Sequence, residues 1–168
     1  MNTRRVFVFG SAFATIGGLR PVCAQVQPGA TEATLREAIL QYVAIWNRHD
    51  VQAWSTMLTD DIWYTEASDF YERMKGRKAV LTTFEYNVQS SDLLWEVRRV
   101  RMMPDGTATV VLRHVAQILP KVDGKYKASY ESVPSLSRWR HEGGKWRMFF
   151  FTSDKGWALA EMKKDGVE

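Results

Sequence analysis

TEATLREAILQYVAIWNR, residues 31–48, is the stretch from which the rest of the chain can be read. Leu35, Ala38, Ile39, Tyr42, Val43 and Trp46 recur at steps of three and four, which lines one face of an α-helix. Thr34 with Glu37 offers a capping box just inside this helix, and Thr31 is an equally good cap. Asp50 can cap a second, short helix that buries Ala53, Trp54, Met57 and Leu58. Ile62-Trp63-Tyr64-Thr65-Glu66 is β-prone, residues 67–75 read as a polar loop, and Ala79, Val80, Thr83, Phe84, Asn87 and Val88 return to helical spacing.

After Ser91 the pattern becomes that of strands. Residues 93–103 run to Pro104-Asp105-Gly106, a turn in which Pro fixes φ and Gly accepts a positive one. A strand over 107–119, a turn at Asp123-Gly124 and a third strand over 126–141 follow. Pro134 removes a ladder donor from that third strand and predicts a bulge or an edge. Gly143-Gly144 then turns the chain into 145–153. Helices followed by an antiparallel meander predict an α+β domain with its N-terminal helices on one sheet face.

Residues 1–24 read as a signal peptide. Arg4-Arg5 begins it, an apolar run over 6–19 follows, and Val22-Cys23-Ala24 forms a cleavage site of the general secretory or the twin-arginine kind. The run is too short and glycine-rich for a stable membrane span. The expected location is therefore the periplasm or the exterior. Loss of Arg4, Arg5 and Arg20 with the leader lowers the formal charge from +4 to +1, which argues against a nucleic-acid partner. The sole cysteine, Cys23, leaves too, so the mature part has no disulfide or thiol nucleophile. Residues 25–30 are a flexible lead-in, 31–153 the domain, and 154–168 a tail or short helix.

The order of these elements, with Gln41-Tyr42-Val43-Ala44, Asp50, Leu58-Thr59-Asp60-Asp61, Gly76-Arg77-Lys78-Ala79-Val80 and the closing Arg138-Trp139-Arg140-His141-Glu142-Gly143-Gly144-Lys145-Trp146, resembles the NTF2-like superfamily. The similarity is to its SnoaL-like and ketosteroid isomerase-like branch, over residues 31–153. It implies a cone in which a curved antiparallel sheet and the N-terminal helices enclose a pocket. It also implies a small apolar ligand, no cofactor, and a homodimer through the outer sheet face.

Tyr42 and Glu66 can be laid without gaps over the tyrosine and aspartate of ketosteroid isomerases, where the phenol donates to a developing oxyanion and the carboxylate shuttles a proton. The resemblance thus makes Glu66 and Tyr42 catalytic candidates, with Trp46, Tyr64, Ser137 and Trp139 as pocket wall. Ser137 stands where those enzymes carry a second, protonated acid, so steroid isomerisation is not implied. On residue type alone, Tyr42 can equally be a core tyrosine and Glu66 a strand-end carboxylate. His114, on the face Val110-Leu112-His114-Ala116-Ile118, is either a core group or an acid/base partner for Glu66. His49, His114 and His141 show no metal-ligand spacing. Arginines on the strands are expected outside, paired with Glu96, Glu131 and Glu142. Two functions therefore compete: a small-ligand-binding domain without assured catalysis, and a cofactor-independent isomerase or cyclase moving a proton on a small apolar carbonyl compound.

Overall fold

The computed structural model describes residues 29–66 and 73–168. The signal peptide and the lead-in up to residue 28 lie outside the described residues, as do residues 67–72 of the expected loop. Helix α1 (Glu32–Trp46) starts on Thr31, whose hydroxyl accepts from the Thr34 amide while the Thr34 hydroxyl accepts from the Thr31 amide. Of the two candidate caps, the structure uses Thr31, with Thr34 reciprocating in place of Glu37. Asp50 caps α2 (Val51–Thr56) by accepting from the Ala53 amide at 2.9 Å. That helix ends before Leu58, which opens β1 (Leu58–Thr65) instead. After β2 (Met74–Lys75) and α3 (Arg77–Ser90) come four strands, β3 (Ser91–Met102), β4 (Thr107–Val122), β5 (Lys125–Glu142) and β6 (Lys145–Thr152), and then α4 (Lys155–Asp165).

The six strands form one sheet in the order β2-β1-β6-β5-β4-β3. All neighbours are antiparallel except β1 and β6, which run parallel. The expected antiparallel meander is present from β3 to β6, and the parallel pair joins β1 to its last strand. Hairpin turns force antiparallel pairing, but β1 and β6 are far apart in sequence and no turn dictates their direction. Val133 and Pro134 sit where the β4–β5 register shifts between Leu112 and His114, so Pro134 occupies a bulge.

Helix α1 lies against the inner face, pinned at both ends. Near its start, the Trp146 indole donates to the Thr34 hydroxyl at 3.0 Å. At its end, the Trp46 indole donates to the Ser91 carbonyl at 3.0 Å. The Asn47 amide donates to the Leu93 carbonyl at 3.0 Å and accepts from the Leu93 N–H at 2.6 Å. Strand β3 is a sheet edge, and Asn47 satisfies backbone groups that the ladder cannot.

The outer face of the sheet meets the C-terminal segment, read from the sequence as a tail or short helix, which folds as a helix. Helix α4 covers part of it, and Ala158, Met162 and Val167 pack with Val111, Leu136 and Phe150 in a second apolar cluster. Arg138 donates to Asp165 at 2.8 and 2.9 Å and to Glu161 at 2.7 Å. Beyond α4, Arg113 forms a two-pronged pair with Glu131, Arg98 meets Glu96 and Arg140 meets Glu142. The tryptophans interleaved with these arginines in sequence, Trp95, Trp139 and Trp146, are buried. Among the described residues no helix is long and apolar enough to cross a membrane.

Asn47→Ala strands a buried N–H and carbonyl of Leu93 together, so urea denaturation is expected to show a loss of about 1–3 kcal/mol. Asn47→Asp retains the acceptor and should lose less.

Candidate functional site

The inner face is filled by rings. Tyr42 of α1 stacks on Trp95 of β3 with centroids 4.7 Å apart, and Trp95 stacks on Phe151 of β6 at 5.4 Å. Phe151 meets Tyr64 of β1 at 4.8 Å, and Tyr64 meets Phe84 of α3 at 4.6 Å. Trp54 presents an edge to Trp46, Tyr42 and Tyr64, and Trp139 an edge to Tyr42. Where the resemblance implies a pocket, aromatic side chains pack on one another. Trp46, Tyr64, Ser137 and Trp139, expected as its wall, are all buried within this packing. An open groove of about 1010 Å³ lies apart from the rings, lined by residues such as Asp60, Lys75, Arg77 and Thr82, and contains none of the expected site residues.

The polar atoms among the rings are few. Tyr42 is fully buried and its hydroxyl has no hydrogen-bond partner; the buried Trp54 indole N–H has none either. Trp54 and Tyr64 both lie near enough to the Tyr42 hydroxyl to favour its anion, but neither completes a hydrogen bond to it. Burial outweighs them and holds the Tyr42 phenol well above its ordinary pKa. Such unpartnered donors are uncommon in protein interiors, since each forfeits its hydrogen bonds to water.

Glu66 follows the last residue of β1. The residue is only partly buried, but its carboxyl is desolvated, and that raises its pKa from 4.5 to about 7. The Tyr64 hydroxyl opposes the rise by donating to Glu66 Oε1 at 3.4 Å, a long hydrogen bond. Tyr64 is thus the direct hydrogen-bond partner of Glu66, and Tyr42 feels the Glu66 charge only through space. Tyr64 stands two residues before Glu66 on one strand face, which brings the two side chains together.

His114 is buried, and the Trp95 indole donates to its Nδ1 at 2.7 Å. An indole can only donate, so Nδ1 is bare and the neutral ring carries its proton on Nε2. Burial lowers its pKa to about 4. With its bare nitrogen already engaged, His114 is suited to donate from Nε2. Of the two readings of His114, core group or acid/base partner, the bond to Trp95 limits the second to a donor from Nε2. Ser137 accepts from the Trp139 indole at 2.9 Å, which leaves its hydroxyl hydrogen as the only donor at the position of the second acid. Among the described residues no group of three or more His, Cys, Asp or Glu side chains is placed to hold a metal ion.

Trp54 and Trp95 were not among the sequence candidates. Trp54 was legible only as a buried helix residue. Trp95 faces His114 because the β3–β4 register slips between Val97 and Arg99. Counting outward from the Asp105 turn without that bulge would set Trp95 opposite Val115.

Comparison with known proteins places this architecture. A family model described as a SnoaL-like domain matches residues 39–148. Among solved structures, an NTF-2 like protein from Shewanella oneidensis MR-1 is 12% identical with a TM-score of 0.56, over 71% of this chain and 95% of that one. A ketosteroid isomerase-like protein from Erwinia carotovora atroseptica SCRI1043 is 20% identical with a TM-score of 0.56, over 71% and 92%. An NTF2-like protein with a cystatin-like fold from Novosphingobium aromaticivorans is 22% identical with a TM-score of 0.53, over 71% and 78%. At these identities the structural likeness speaks for the fold alone. The chain matches no curated protein.

A carboxyl raised by folding keeps its proton in the folded state over a range where the unfolded chain has lost it. Stability therefore declines as pH rises from about 4.5 to about 7 and is unaffected below that window. Glu66→Gln removes the decline. Its urea midpoint is expected to match the wild type at pH 4 and exceed it at pH 8. Tyr64→Phe should enlarge the wild-type decline, because it deletes the group that opposes the shift.

Proposed function

Because this chain belongs to the SnoaL-like domain family of the NTF2-like superfamily, we propose that it binds a small, flat, mostly apolar compound carrying a carbonyl or equivalent acceptor oxygen. The observation that carries this reading is the pair of buried, unpartnered donors, the Tyr42 hydroxyl and the Trp54 indole N–H, set among aromatic rings. One acceptor oxygen would satisfy both, and the rings would stack on the body of the ligand. The rings must part to admit it, so association should be limited by that opening and saturate at high ligand concentration.

2-Tetralone, a flat bicyclic ketone, is a suitable probe, and tryptophan fluorescence reports its binding. Tyr42→Phe should weaken binding about tenfold, the equivalent of one hydrogen bond. In the free protein the same change should leave stability unaltered or raise it, since a buried unpartnered hydroxyl is removed. Equal affinity in wild type and variant would defeat this reading.

Glu66 supports a second reading, cofactor-independent proton transfer. A carboxyl with a pKa of about 7 is divided between base and acid at neutral pH, as general catalysis requires. Glu66 would remove a proton beside the ligand carbonyl while Tyr42 donates to the oxygen. Exchange of the α-protons of 2-tetralone with deuterated solvent, followed by NMR, tests it. Exchange should rise with pH through about 7 and be lost in Glu66→Gln, while binding persists.

We also propose that residues 1–24 direct export to the periplasm or exterior, on the basis of Arg4-Arg5, the apolar run and Val22-Cys23-Ala24. Intact mass of exported material should correspond to a chain starting at Gln25. Replacing both arginines with lysine should block export if the twin-arginine route is used.

A further inference from the structure

We propose that the aromatic interior conducts one-electron oxidation, with Trp63 receiving the oxidising equivalent at the surface and Tyr64 holding it as a neutral phenoxyl radical after passing its proton to Glu66. The oxidant is a small inorganic radical or another strong one-electron acceptor, and no bound ligand is needed. A buried phenol or indole gives up an electron readily only if its proton has somewhere to go, because the deprotonated radical is neutral and a buried radical cation is costly. That requirement sorts the rings. The Tyr42 hydroxyl and the Trp54 N–H have no partner. The Trp46 and Trp139 indoles donate to a carbonyl and a hydroxyl, neither of which takes up a proton near neutral pH. Tyr64 and Trp95 differ: they donate to ionisable acceptors, Glu66 Oε1 at 3.4 Å and His114 Nδ1 at 2.7 Å. Of these two acceptors Glu66, with a pKa of about 7, is the stronger base and His114, at about 4, the weaker, so the radical settles on Tyr64.

The rings lie close enough to exchange electrons. Centroids are 4.7 Å apart from Trp95 to Tyr42, 6.4 Å from Tyr42 to Trp54 and 6.5 Å from Trp54 to Tyr64. Trp63 supplies the entry: it is 38% exposed, and the next residue, Tyr64, is buried on the opposite sheet face. Lys75 Nζ stands 5.2 Å from the Trp63 ring centroid, so an electron hole on that ring is a positive charge beside an ammonium and is driven on to Tyr64. The step balances. The oxidant gains one electron, the Tyr64 O–H bond breaks, the phenoxyl keeps the unpaired electron and Glu66 becomes a carboxylic acid. Loss of the electron makes the phenol a strong acid, which draws the long Tyr64–Glu66 bond in as the proton moves. A one-electron reductant such as a thiol or ascorbate restores the phenol, and Glu66 returns the proton.

Pulse radiolysis of azide solutions supplies azidyl radicals, which oxidise accessible tryptophan. In the wild type at about pH 8 the broad visible band of the tryptophan radical should decay into the sharp near-ultraviolet band of a tyrosyl radical, at a rate independent of protein concentration. Trp63→Phe should remove most of this conversion, and so should Tyr64→Phe, while Tyr86→Phe and Tyr130→Phe, at exposed rings, should leave it intact. Glu66→Gln should slow it roughly tenfold or more at about pH 8, where the wild-type carboxyl is ionised. At about pH 5 Glu66 already carries a proton, and the two proteins should agree. Tyr64 on its own strand and Tyr42 of α1 are the groups that face this charge, and neither titrates in that range. Near-ultraviolet circular dichroism checks that each variant keeps its rings packed. A conversion unchanged in Trp63→Phe or Tyr64→Phe, one that occurs only between molecules, or a Glu66→Gln rate equal to the wild type at about pH 8 overturns the proposal. Where a ring substitution disturbs the packing, Glu66→Gln decides alone.

Discussion

The stack of Tyr42 on Trp95, and of Trp95 on Phe151, joins the first helix to the edge strand β3 and to β6. Most other placements follow from it. The stack requires α1 to lie at one height over the sheet, and the Asn47 contacts with Leu93 hold it there. Trp95 can keep its indole edge buried only because His114 accepts its N–H. That hydrogen bond in turn settles the imidazole tautomer and helps keep it neutral. An apolar packing constraint thus determines the protonation of the only histidine on the Val110–Ile118 face.

The interior stays imperfectly satisfied, and its placement is informative. A core optimised for stability alone would pair the Tyr42 hydroxyl and the Trp54 N–H or replace them with apolar groups, since an orphaned buried donor costs about 1–3 kcal/mol. These two donors occur on neighbouring rings, one step from Tyr64 and Glu66, while Thr59 Oγ1 and Arg147 Nε are also buried without a partner. Glu66 adds a desolvated carboxyl whose ionisation opposes folding near neutral pH.

The two faces of the sheet solve different problems. The inner one buries rings and leaves the Tyr42 and Trp54 donors unpaired; the outer one pairs Arg138 with Glu161 and Asp165 and closes its apolar strip with α4. This division separates the arginines from the tryptophans with which they interleave in the sequence. Alternation along a strand sends the two residue types to opposite sides.

By itself the sequence determined the element order, the α+β class, the helical faces bearing Tyr42 and Trp54, the break in the strand ladder at Pro134 and the family, because these depend on periodicity, turn chemistry and local backbone restriction. The tertiary structure alone decided the relations across elements. One slipped residue between Val97 and Arg99 set Trp95 opposite His114 and so decided which imidazole nitrogen accepts. The strand alternation of Tyr64 and Glu66 was legible, but that Tyr64 rather than Tyr42 bonds the carboxylate depends on how α1 crosses the sheet. The parallel pairing of β1 with β6 and the docking of α4 on the outer face join segments distant in sequence. No local pattern encodes such contacts, since they are chosen by the burial of the whole chain at once.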